Sequence, residues 1–143
     1  MASAHDVAAY ILCKTGEVTA MKLQKLVYYS QAWSLVWDEE PLFRERIEAW
    51  TNGPVIPDLY RHHKGLFKVS AWLKGDPENL TEAQRQTVDA VLKYYGGKSS
   101  QWLSDLTHRE APWLNARKGL EPGDPSKREI SHASLAEYYS NPY

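Results

Sequence analysis

The sequence predicts a mainly α fold: a single compact helical domain around a central buried helix (about 20–37), with a small antiparallel β element near 42–52. Three observations carry this. Met21 to Trp37 reads MKLQKLVYYSQAWSLVW, where Leu23, Leu26, Val27, Trp33 and Trp37 fall near helical spacing and Tyr28, Ala32, Leu35 and Val36 extend the apolar surface around the cylinder. A helix apolar on most sides must be covered on several. Other helical stretches with their own cap signals flank it on both sides. Between them, Leu42 to Thr51 alternates apolar and charged residues with period two, which reads as short strands of a hairpin.

In chain order, Ser3 is an N-cap with Asp6 in capping-box position, and Val7, Tyr10, Ile11 and Lys14 follow one face up to Gly16. A first helix over residues 4–15 is expected. Thr19 then caps the central helix, in which Trp33 and Trp37 are expected in the core. Helix, glycine turn and helix could suggest a DNA-reading pair. The second helix is too apolar to present a recognition face, so direct DNA binding is not expected. At 17 residues and with lysines inside, it is not a membrane span either.

Asn52-Gly53-Pro54 is a turn by its chemistry, since glycine takes φ > 0 and proline drives the preceding residue out of the α region. Pro57 starts a short helix to Lys64, closed by Gly65. A loop-rich connection follows, with a short strand within Phe67–Trp72. Thr81 with Gln84 is a second capping box, and Val88, Val91, Leu92 and Tyr95 keep helical register until Gly96-Gly97. Ser99 or Ser100 starts the next helix, with Trp102, Leu103 and Leu106 facing in. Another short helix runs from Pro112 to near Gly119. Residues 120–129, rich in Pro, Gly and charge, are the expected mobile loop. Ile130 to Tyr139 forms a last helix.

The 143 residues suit one domain, and 24% charged against 43% apolar residues is a globular composition. The net charge of −1 gives no global field for nucleic acid. The single cysteine, Cys13, excludes an intrachain disulfide and fits a reducing compartment. The N-terminal stretch lacks a basic n-region and carries Asp6, so a cytoplasmic location is expected. Six Trp and nine Tyr against two Phe suit partly wet surfaces and interfaces.

Two constellations could carry chemistry. His62 and His63 are adjacent, so on a helix they point about 100° apart and do not chelate one ion. No metal and no cofactor are expected. His108 and Glu110 precede a proline-started helix, where Glu110 is placed to cap free N–H groups. As a hydrolase-type pair they lack a nucleophile, because Cys13 lies in an apolar helix. Arg44, Arg46, Arg61, Lys64 and Lys68 surround Trp50, Tyr60 and Trp72. Such a centre can bind single-stranded nucleic acid, or form the rim and core of a protein interface. The near-neutral charge favours the interface. Its candidate partner-binding residues are Arg46, Trp50, Tyr60, Arg61, His62 and His108.

Three motifs in order then resemble the Panacea domain family, which includes SocA-like antitoxins and GepA-like phage-associated proteins. They are Lys22-Leu-Gln-Lys-Leu-Val-Tyr-Tyr29, then Trp50-x-x-Gly53-Pro54-Val55 with Leu59-Tyr60, and His108-x-Glu110-x-Pro112-Trp113. With their connections they cover about residues 5–118, and the domain is taken as residues 1–143. The resemblance implies a mostly helical antitoxin, from a bacterium or prophage, that neutralises a toxin encoded beside it by direct protein binding. For the SocA branch it also implies an adaptor role toward the ClpXP protease. The residues leave open whether that extends here. It establishes no catalytic residue. Gly53, Pro54, Leu59, Pro112 and Trp113 match the motifs as structural positions, and Tyr60 and His108 as surface ones. The alternatives that stay open are a small hydrolase using His108 and Glu110, and a nucleic-acid-binding adaptor.

Overall fold

The computed structural model describes residues 2–141, so the first residue and last two of the expected 1–143 unit lie outside the described residues. The chain is mainly helical. In order it forms α1 (Ala4–Thr15), β1 (Val18–Thr19), α2 (Ala20–Trp37), β2 (Ile47–Trp50), β3 (Gly53–Val55), α3 (Pro57–His63) and β4 (Lys68–Val69). A 3-10 turn (Pro77–Asn79), α4 (Glu82–Tyr95), α5 (Ser100–Arg109), α6 (Ala111–Ala116), β5 (Glu129–Ile130) and α7 (His132–Ser140) complete it.

Helix starts follow their local chemistry. The Ser3 hydroxyl accepts from the Asp6 N–H while the Asp6 carboxylate accepts from the Ser3 N–H, and Thr81 with Gln84 repeats the arrangement. Thr19 and Ser99 cap α2 and α5 through their hydroxyls. Gly16, at φ 73°, ends α1.

Helix α2 is the hub, touching α1, α4, α5, α7, β1 and β3. Its apolar side chains Leu23, Leu26, Val27, Tyr28, Tyr29 and Ala32 are buried. So are the polar residues that interrupt them, Gln24, Lys25, Ser30 and Gln31, each of which hydrogen-bonds a backbone group. Gln24 accepts from the Ile56 N–H (2.8 Å) and donates to the Ile56 carbonyl (3.2 Å). One heptad later, Gln31 accepts from the Leu42 N–H (2.7 Å) and donates to the Phe43 carbonyl (2.8 Å). Two glutamines therefore clamp two extended segments to the hub, as a buried amide must. Trp33 is only partly buried and Trp37 is 50% exposed, against expectation. The helix has outrun its coverage by its last turn.

The β element is smaller and later than the alternation suggests. Leu42 and Phe43 give backbone bonds to Gln31 instead of to a ladder, so pairing starts only at Ile47. Strands β2 and β3 are antiparallel with Trp50 opposite Gly53, so the turn is Thr51-Asn52, and Gly53 and Pro54 lie inside the strand. Gly53 takes φ 122°, which excludes an ordinary side chain. Strand β5 adds to the other edge of β2, and β1 pairs with β4, both across long sequence separations.

Arg117 is a buried residue that the sequence does not single out. Its guanidinium donates to the carbonyls of Ala49 (3.0 Å), Glu121 (3.4 Å), Pro122 (3.3 Å) and Asp124 (2.6 Å), gathering the 120–128 stretch against the sheet. Arg117→Met is expected to lose about 2–3 kcal/mol, the scale of several buried acceptors losing a charged donor. Thermal unfolding and faster amide exchange within 121–128 would show it. Unchanged exchange there would mean that the loop holds itself.

Candidate functional site

An open groove of about 800 Å³ runs between the start of α2, the β2–β3 turn, the end of α3 and the loop before β4. Its first wall is apolar and exposed: Met21 is 41%, Leu66 56% and Phe67 76% accessible. The backbone beneath them is held. Helix α3 gives way to Gly65 at φ 86°, the Phe67 carbonyl accepts from the Ala20 N–H (2.9 Å), and β4 then pairs with β1. The side chains stay outward because their main chain is stitched inward.

A second part of the lining is aromatic. Trp50 and Tyr60 meet edge to face at 4.9 Å, Trp50 donates its ring N–H to Glu48 (2.9 Å), and Tyr60 stands edge-on to His63 at 5.4 Å. Gln24, Lys25 and His63 form the floor. Gln24 donates to Nε2 of His63 (2.9 Å), so that nitrogen carries a lone pair, and burial together with the charge of Lys25 pushes the histidine below its usual pKa. Lys25 is 1% exposed and donates to the Pro54 carbonyl at 3.2 Å. Burial alone lowers its pKa to about 8.

Of the sequence candidates, Trp50 and Tyr60 line this groove. Arg61 is on the neighbouring turn, exposed and paired with Asp58, and His62 packs edge-on against the His5 ring at 5.0 Å. Arg46 is paired with Glu48 (2.9 Å) and donates to the Lys127 carbonyl (3.0 Å). His108 donates from Nδ1 to the Ser104 carbonyl (2.6 Å) and packs on Trp113 at 4.3 Å.

Glu110 does not cap α6 with its side chain, contrary to expectation. Its carboxylate turns inward and accepts from the hydroxyls of Tyr29 (2.6 Å) and Tyr139 (2.7 Å). His108 and Glu110 therefore serve different neighbours. Cys13 lies on α1, where its side chain is exposed, and Trp102, expected to face in, is 37% exposed. Among the described residues no group of three or more His, Cys, Asp or Glu side chains converges as a metal site would. Nor, among them, is any helix long and apolar enough to cross a membrane.

The three sequence motifs meet in space around the β2–β3 hairpin. From the first, Lys25 reaches the Pro54 carbonyl; from the third, Trp113 donates to the Trp50 carbonyl (2.8 Å) and His108 lies against Trp113. Leu59, Pro112 and Trp113 are buried. The motif residues thus build the hairpin that presents Trp50 to the groove. The exposed wall of Met21, Leu66 and Phe67 escapes sequence reading; its one signal is an apolar pair directly after the helix-ending Gly65.

Comparison with curated proteins and with solved structures gives no match. The family described as antitoxin SocA-like, Panacea domain, matches residues 23–114, from within α2 to within α6. That is more than half of the chain and contains all three motifs but for Lys22. The chain therefore belongs to the SocA-like antitoxin family of the Panacea domain.

Proposed function

We propose that this domain is an antitoxin that neutralises its toxin by direct protein–protein binding in the groove, acting in the cytoplasm. The observation that supports this is the exposed apolar wall of Met21, Leu66 and Phe67, whose backbone is held in place, lining the same groove as Trp50 and Tyr60. Rimmed apolar surface of this kind marks interaction sites, and aromatic and Met side chains are enriched at interface centres. Its backbone is already ordered, which reduces the entropy lost on binding. Trp50 and Tyr60 are the proposed anchors, with Arg46, Arg61, His62 and His108 on the surrounding surface. The hydrolase alternative is weakened by the divergence of His108 and Glu110. The nucleic-acid alternative is weakened because Arg46 and Arg61 are already paired with carboxylates.

The experiment is co-expression of the tagged chain with the product of its adjacent gene, scored by co-purification and by rescue of growth. Phe67→Ser is expected to weaken capture by about ten- to a hundredfold, or about 1.4–2.8 kcal/mol. Its melting temperature should stay unchanged, since the side chain is mostly in water. Undiminished capture by this variant would remove the groove from the interface. Handover of captured toxin to ClpXP is a further step of the proposal, tested by toxin half-life in cells lacking the protease.

A further inference from the structure

The groove is basic in a chain whose net charge is −1. Its lining includes Lys25, Lys64 and Lys127 and no aspartate or glutamate. The nearby carboxylates are engaged elsewhere: Glu48 by Arg46 and Trp50, Asp58 by Arg61. Lys64 and Lys127 are exposed on the rim. Lys25 sits at the floor with a single hydrogen bond, although an ammonium carries three donors, and no carboxylate lies within salt-bridge distance among the described residues. The ammonium occupies space that only Gly53 leaves open, because a Cβ there would lie 3.1 Å from Nζ.

A buried cation without an anion is costly to keep. Low-dielectric walls also project its field into the groove rather than letting water screen it. Resting on the antitoxin reading above, we propose that the toxin segment seated in the groove is acidic. It sets a carboxylate over the Lys25 floor, between the Lys64 and Lys127 rim, while its apolar side chains pack on Phe67, Leu66 and Trp50. Neutral apolar segments would fill the walls and leave the floor charge unanswered, so the lysine selects among apolar partners.

Two probes separate this inference from the reading beneath it. The first is phenylbutanoate against phenylbutanamide, an aromatic acid and its neutral amide, titrated into the chain and followed by amide chemical shifts. The acid is expected to shift groove resonances with an affinity about tenfold above the amide's, and Lys25→Met should erase the difference. The second is the adjacent gene's product, for which Lys25→Met and the double change Lys64→Gln with Lys127→Gln should each weaken capture about tenfold or more. Equal binding of acid and amide, binding of neither in the groove, or full capture by both lysine variants would overturn the acidic segment. Loss of capture in Phe67→Ser with no loss in the lysine variants would do so too, while leaving the groove as the interface. Undiminished capture by Phe67→Ser would instead sink the interface itself, whichever probe the lysines prefer.

Discussion

Glu110→Ala is expected to lose about 3–5 kcal/mol of stability, while Glu110→Gln stays within about 1 kcal/mol of the parent. The carboxylate is buried where α2, α6 and α7 meet, and both phenol donors, Tyr29 and Tyr139, end on its Oε1. Tyr29 stacks on Tyr95 at 4.1 Å, and the Tyr28 and Tyr139 hydroxyls share a further bond at 3.1 Å. Alanine would leave two buried hydroxyls without an acceptor and open a void among packed rings. Glutamine keeps the acceptor oxygen. The sign of the pH dependence follows from burial, which raises the Glu110 pKa above 4.5 against the opposing pull of the two tyrosine donors. Between 4.5 and that raised value the folded chain holds more protons than the unfolded one, so this residue's contribution falls as pH rises. His5 and His63, both lowered from 6.5 chiefly by burial, tilt the same region the other way. The difference curve between parent and Glu110→Gln, from denaturant unfolding at several pH values, isolates the glutamate. A flat difference, or an alanine variant no weaker than a surface substitution, would show that the tyrosine nest does not depend on the carboxylate.

Helix starts are legible in the sequence because capping is local: Ser3 with Asp6, Thr19, Thr81 with Gln84, and Ser99 each act on an N–H within three residues. The central helix is legible as well, but its polar residues are not. Whether Gln24, Lys25 and Gln31 face water or protein depends on Ile56, Pro54, Leu42 and Phe43, which the helical pattern does not contain. The β element is partly legible. Alternation from Leu42 onward is present, yet Gln31 takes the first backbone groups, and the pairings of β1 with β4 and of β2 with β5 join residues far apart in the sequence, such as Val18 with Val69 and Ile47 with Ile130. The same split applies to the groove. Trp50 and Tyr60 stand out by residue type beside turn signals. Phe67 and Leu66 are bare apolar residues in a loop, and the Gly65 turn, the Ala20 bond to the Phe67 carbonyl and the pairing of β1 with β4 hold their backbone.

Lys25→Met is expected to stabilise the fold at neutral pH by up to about 3 kcal/mol, although it removes a buried hydrogen bond. The parent pKa of about 8 against 10.5 for a free lysine is the cost of holding a charge under the hairpin, set by desolvation alone. Because the folded chain binds fewer protons at this site, the parent's stability relative to the methionine variant should rise as pH increases from about 8 toward 10.5. The methionine variant lacks this rise, so the difference between the two curves isolates the lysine. The window is clean on its acid side, since His63, the neighbour that feels the Lys25 charge, has lost its proton below 6.5. Tyr10, Tyr28, Tyr29, Tyr95 and Tyr139 are raised from 10.0 by burial, so near pH 10 they lower the stability of both chains, a loss that cancels in the difference. Methionine matches the lysine stem in length and leaves the Pro54 carbonyl short of one donor, which limits the gain. A residue that lowers stability where it stands, and whose removal strengthens the fold while weakening capture of the toxin, is retained for binding and not for folding. A methionine variant less stable than the parent at pH 7, with the alkaline rise still present, would place the ammonium in the architecture instead and leave the groove charge to Lys64 and Lys127.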